Sequence, residues 1–397
     1  MKPRAFYLLL GATVIVTSAA ALTAWQRAAA TLGSISSETV VPGLIDRVND
    51  VATIEVVKGK ETVTVQRGAD GWVMPDRGGY PVKFETVKQN IVTMAELKTV
   101  EPKTAKADLY SRIEVEDPAG AESKSAQMTF KDKDGKVIAS MIVGRKRYAP
   151  IGGKDMVYVR KPGDSRSWLA EGTFEIRTPA PEWLVREISG LKEERWKTLT
   201  FAHSDGSRAV MHRKDPPLGK DGKPPANDGM PQEVWEVEGR PADRNLKPPA
   251  TVNSTASAFD FLNLDDVKPS KDVADGTLKA TAEFLATDGL IMKSRLVDKG
   301  DASWAILEAS TTAEAAQPIK DEAVALNKKL GGWAYKLPEY KQNFLSRKFD
   351  DLVEPVRVTE KKEEPPKMDA PPKVEVPAKT EEPAKQEEEP KTESKGG

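Results

Sequence analysis

The sequence predicts an α+β fold of repeated β-hairpin, strand and helix units on antiparallel sheets, with one N-terminal transmembrane helix and a disordered C-terminal tail. Three observations predict it. Apolar and polar residues alternate around short turns, the pattern of half-buried hairpins. Each hairpin is followed by a tryptophan beside a turn and then by a stretch of helical periodicity. The two ends depart from the body in opposite ways, one apolar and uncharged, the other almost wholly Lys, Glu and Pro.

At the N-terminus, Lys2 and Arg4 precede an apolar run from Phe6 to about Trp25 that holds no charge. Roughly 20 such residues at 1.5 Å rise cross a ~30 Å hydrocarbon core. Positive charge before the run, with only Arg27 soon after it, favours a cytoplasmic N-terminus. The expectation is a single-pass protein of the inner (cytoplasmic) membrane with an extracytoplasmic body. Ala19-Ala20-Ala21 leaves a cleaved signal peptide as the competing reading, and the body leaves the cytoplasm either way.

Units are expected at 1–27 (anchor), 28–120 (first hairpin-helix unit), 121–190 (antiparallel meander with a short helix), 191–358 (second and third hairpin-helix units) and 359–397 (tail). In the first unit, a turn at Gly59-Lys60 sets Ile54 and Val56 against Val63 and Val65. Gly71-Trp72 follows, and Val82–Leu97 keeps helical spacing. The meander runs over Met128–Leu169, turning at Asp134-Gly135 and Pro162-Gly163, and Glu182–Ile188 reads as a short helix. A second hairpin spans Trp196–Arg213 around Asp205-Gly206. A loop at Asp215–Pro231, Val234-Trp235 and a helical stretch over Ser254–Leu264 come next. Leu278–Leu307, with Asp288-Gly289 and Trp304, reads as a third copy. From Thr359 to Gly397 too little is apolar to offset ordering entropy.

Composition narrows the function. With 60 basic residues against 61 acidic, the chain lacks the basic excess of a nucleic-acid binder. There is no cysteine, which removes disulfides, thiolate nucleophiles, cysteine-ligated metals and a lipoprotein anchor. His203 and His212 are the only histidines. A two-residue turn at Asp205-Gly206 would pair 203 with 208 and 199 with 212, setting both on one face about 13 Å apart at ~3.3 Å per residue. That is too far for one metal. Carboxylates are interleaved with Lys and Arg, and Glu193-Glu194 reads as a helix end. Gly78-Gly79, Gly152-Gly153 and Gly331-Gly332 read as turns without a phosphate-binding pattern. Trp72, Trp235, Trp304 and Trp333 sit between turn and strand residues, where an indole seals a core; a carbohydrate-stacking platform is the alternative. No catalytic, cofactor or metal residue is assigned.

Seven short stretches, in order, resemble a bacterial family known as a domain of unknown function, found in membrane-anchored proteins encoded beside gliding-motility-type ABC transporters. They are Val41-Pro42-Gly43-Leu44 with Val51–Val57; Gly71-Trp72; Leu109–Pro118; Gly135-Lys136-Val137 leading to Ile142-Val143-Gly144; Val157-Tyr158-Val159-Arg160; Trp183-Leu184; and Gly332-Trp333-Ala334-Tyr335-Lys336-Leu337-Pro338. The resemblance implies a non-enzymatic accessory part of an envelope ABC transporter system, with protein partners in that complex. Binding of an envelope polymer such as glycan is the alternative.

Overall fold

The computed structural model describes residues 38–120, 122–149, 153–214 and 232–356. The Phe6–Trp25 run, the loop at Asp215–Pro231, Gly152 and the Thr359–Gly397 tail lie outside them. Among the described residues no helix is long and apolar enough to cross a membrane. Described residues up to Pro355 belong to one compact unit, and Val356 falls in a second.

The chain opens with strands β1 (Thr53–Lys58), β2 (Glu61–Gly68), β3 (Gly71–Met74) and β4 (Tyr80–Pro81), then helix α1 (Phe84–Glu96). β5 (Lys98–Pro102), β6 (Ala126–Lys131), β7 (Val137–Arg147), β8 (Met156–Arg160), β9 (Ser167–Glu171) and β10 (Glu187–Ser189) follow. Next are β11 (Trp196–His203), β12 (Arg208–Arg213), β13 (Trp235–Val237), β14 (Arg244–Leu246), β15 (Leu262–Asn263) and β16 (Asp266–Pro269). The chain closes with β17 (Thr277–Ala286), β18 (Leu290–Lys299), β19 (Ala302–Thr311), helix α2 (Gln317–Leu330), β20 (Trp333–Lys336) and β21 (Val353–Pro355). The class is α+β: mostly antiparallel sheet with a few helices.

Two large sheets carry the fold, ordered β4-β3-β2-β1-β6-β7-β8-β9-β5 and β13-β12-β11-β17-β18-β19-β20-β16. Without β4, the first order maps strand for strand onto the second, and the chain visits the eight positions in the same sequence. The repeat is therefore twofold. The expected third copy, Leu278–Leu307, is the meander β17–β19, which pairs onto β11 as β6–β8 pairs onto β1. For the same reason the expected division at 120/121 runs through a single sheet.

The registers agree in detail. The turn at Gly59-Lys60 sets Ile54 opposite Val65 and Val56 opposite Val63, as the alternation required. Arg67 faces Trp72 across β2 and β3, and Arg213 faces Trp235 across β12 and β13. Both guanidinium groups lie over their indoles, at 5.3 and 4.8 Å from the ring centroids. Following the pairing outward from these Arg–Trp pairs, Ile54 opposite Phe130 matches Leu199 opposite Phe284. One sheet face in each copy feeds a continuous apolar core.

Two local expectations are corrected. Glu182–Ile188 is a short turn followed by β10, because Leu184 bridges to Val82 just after β4 and β10 pairs with β15. Lys83 N–H donates to the Trp183 carbonyl and Val185 N–H to that of Pro81. Ser254–Leu264 begins as a 3-10 turn, Ser254–Phe259, and ends in β15. The copies are also tied by Arg77 Nε to Asp266 at 2.7 Å and by the Tyr80 ring edge-on to Trp333 at 5.0 Å. Burial pushes the Tyr80 phenol up to about 12 and raises Tyr335 as well.

Candidate functional site

The residue types that carry chemistry most often come first. His203 and His212 lie on opposite faces of their hairpin, which corrects the expectation of a shared face. His203 N–H donates to the Ser207 carbonyl and Gly206 N–H to that of His203, so the loop holds three residues and Thr198, not Leu199, faces His212. Gly206, at φ 82°, supplies the left-handed residue such a loop needs. His203 Nε2 contacts the Arg347 carbonyl at 3.1 Å, and His212 lies 3.4 Å from Glu238. Among the described residues no group of three or more His, Asp or Glu is placed to hold a metal.

Glu193 and Glu194 occupy a 3-10 turn, Glu193–Arg195, where the Glu193 carboxylate accepts from Ser257. Gly78 (φ 67°) and Gly332 (φ 84°) are turn glycines, and a Cβ on Gly78 would come within 2.4 Å of Pro269. Lys341 is buried, donating to the carbonyls of Ser257 and Asp260 at 2.5 and 2.6 Å, and desolvation lowers its pKa. It pins the helix Glu339–Phe344 to the Ser254–Phe259 turn. Most of the tryptophans are core groups: Trp72 is 6% exposed and Trp235 is fully buried, with Trp183, Trp196 and Trp304 also buried, whereas Trp333, expected to seal the core as well, is half-buried at its margin.

A concavity of about 800 Å³ lies beside the edge strand β5. Glu38–Val40 enter there. Val40 N–H donates to the Leu97 carbonyl at 2.7 Å, and Thr99 N–H donates to that of Glu38 at 2.9 Å. This short pairing covers a strand edge that would otherwise present bare backbone groups. Ile45, Ala95 and Leu97 give the cleft its apolar floor, and Ile45 is 50% exposed. The rim is charged, with Lys98, Asp155 and a Lys154–Glu171 ion pair at 2.5 Å. A concavity of this size with an apolar floor and charged rim suits docking of a side chain or peptide segment. Sequence reasoning did not find it because its walls come from five separated segments. The one local signal is Ile45, an aliphatic residue opening the turn Ile45–Asp50, whose other aliphatic side chain, Val48, packs against the core.

A duplicated antiparallel α+β scaffold with a cleft beside its Glu38–Val40 segment is the class that these features define. The family model described as domain of unknown function (DUF4340) matches residues 72–280, more than half of the chain, and the chain belongs to that family. The match starts at Trp72 in β3 and ends at Ala280 in β17, so it spans part of each copy. No curated protein matches the chain.

Proposed function

We propose that this chain is a non-enzymatic docking protein of the cell envelope, held by one N-terminal transmembrane helix in the inner membrane and engaging a membrane-embedded partner, an ABC transporter system. The observation that carries this reading is the position of the 800 Å³ cleft at the point where the chain enters the body. Only residues 26–37 separate Trp25, the end of the apolar run, from Glu38 at the cleft. Fully extended, those residues reach at most about 40 Å, so an anchored body keeps the cleft within reach of a membrane protein. The burial of Trp72, Trp183, Trp196, Trp235 and Trp304 supports docking over glycan binding, because these indoles are committed to the core.

A photocrosslinking residue at Ile45 in native membranes, read by mass spectrometry, is expected to capture a transporter subunit. The same probe at Val324, exposed on α2, serves as the reference and should not. Equal capture at both positions, or capture of envelope glycan at Ile45, overturns the reading. Carbonate extraction is expected to leave the protein in the membrane pellet, and a mature N-terminus near Leu22 would remove the anchor.

A further inference from the structure

The duplication makes each copy a control for the other, and on the outer sheet faces the two copies differ. In the first copy, Ile142 on β7 faces Arg160 on β8. Residues 107–118, between β5 and β6, cover that pair. Tyr110 and Val115 cluster with Ile142, and the Tyr110 ring lies 4.5 Å from the Arg160 guanidinium. Arg160 donates through Nε to the Val115 carbonyl at 2.8 Å and through Nη2 to Asp117 at 2.8 Å. The segment then reaches the first hairpin, where Gly59 N–H donates to the Pro118 carbonyl.

In the second copy the pair at the same position is Arg295 on β18 facing Ile306 on β19, the same two side chains with the strands exchanged. The connection at that point is short. Its turn, Ser270–Val273, reaches only the Trp304 end of the face, where Val273, Trp304 and Ala334 cluster and Ile306 packs partly against them. The remainder stays open as a groove of about 340 Å³ lined by Thr200, Thr281, Lys293, Arg295, Ile306 and Glu308. Lys293 is paired with Glu283 at 3.3 Å, whereas Arg295 is exposed and has no hydrogen-bond or ion-pair partner among the described residues.

We propose that this groove binds, in trans, a segment of a partner protein that carries an aromatic side chain followed by a carboxylate. The chemistry of that occupant is read from the first copy. There an Arg–Ile cross-strand pair takes an aromatic ring on the guanidinium, an aliphatic contact on the isoleucine and a carboxylate on the free guanidinium edge. Arg295 and Ile306 offer the same three features with the covering segment absent. Arg presents a planar fork suited to both stacking and carboxylate binding, which a lysine would not provide.

The test uses the full-length protein in detergent and a fluorescein-labelled peptide of residues 107–118 as probe, read by anisotropy. Saturable binding is expected, weakened at least tenfold by Arg295→Glu and by Ile306→Asp. Both positions lie on the outer face, so circular dichroism should show folded variants. A peptide with Tyr110→Ala and Asp117→Lys is expected not to bind. Absence of saturable binding at millimolar peptide overturns the proposal. So does binding that survives Arg295→Glu but is lost with Arg160→Met, since the peptide would then be displacing the cis segment. Concentration-dependent dimerisation abolished by Arg295→Glu would replace the partner protein with a second copy of this chain.

Discussion

The two copies share a skeleton and differ in their coverings. Both set an arginine over a tryptophan at the β2–β3 and β12–β13 positions, and both turn one sheet face into the common core. The first copy folds residues 107–118 over its outer face, whereas the second leaves an arginine exposed beside a half-buried isoleucine. What is shared is the apolar seam that stability requires. What differs lies on the surface, where a change costs little stability and can create an interaction.

The sharpest way to break the comparison is at the shared tryptophans. Trp235→Ala is expected to cost about 3–5 kcal/mol, and Trp72→Ala to fall at the lower end of that range because its ring is slightly exposed. Urea denaturation of both variants checks this, and a near-neutral result in either would show that the copies do not share a core device. Next in size is Arg160→Met, which leaves the Val115 and Asp164 carbonyls without their charged donor. It is expected to cost roughly 3 kcal/mol and to reduce hydrogen-exchange protection across 107–118. Arg295→Met should stay within about 0.5 kcal/mol, and a larger loss would mean that the second face is already covered.

The seam between the copies should respond more weakly. Arg77 and Asp266 are each a little over one quarter exposed, so Arg77→Ala is expected to cost about 1 kcal/mol, less at high salt. The smallest effect is spectroscopic. Tyr80, pushed up to about 12, holds its proton more tightly folded than unfolded. Its contribution to stability is therefore complete below about pH 10, the ordinary phenol value, and is lost as pH rises through about 12. An absorbance titration at alkaline pH should show normal ionisation of Tyr80 only once the fold opens.

Much of the sheet architecture was legible in local spacing. The Gly59-Lys60 hairpin could be placed to the residue because its two-residue turn leaves one register that buries Val63 and Val65. The second hairpin slipped by one because Gly206 permits a three-residue loop, and that slip moved the histidines to opposite faces. Helix α2 went unread although Ile319, Ala323, Leu326 and Leu330 recur along it at helical spacing, Ala323 and Leu330 buried and the other two packed against the core. Glu182–Ile188 mimicked a helix through Trp183, Leu184 and Ile188, but its backbone hydrogen bonds go to Pro81 and Lys83 and, from β10, to β15. The third copy was misassigned because alternation identifies a hairpin without saying which strand it joins. The clefts were hidden for a related reason, since their walls meet only in the folded chain.

Gly144 matches Val297 in the second copy, and the exchange at that crossing sets the contour of each outer surface. A Cβ on Gly144 would lie 2.4 Å from the Ile113 carbonyl oxygen, so the first sheet gives up a side chain to let the covering backbone lie flat. In the second copy the glycine is on the connecting chain instead, where a Cβ on Gly276 would meet Val297 Cγ1 at 2.5 Å. The yielding atom has thus changed owner between the duplicates. A single methyl group at position 144 would push against the first covering segment where it crosses the sheet, beside the Ile142–Arg160 pair. In a lineage that duplicates domains, such a crossing lets one point mutation trade a self-sufficient fold for a new assembly.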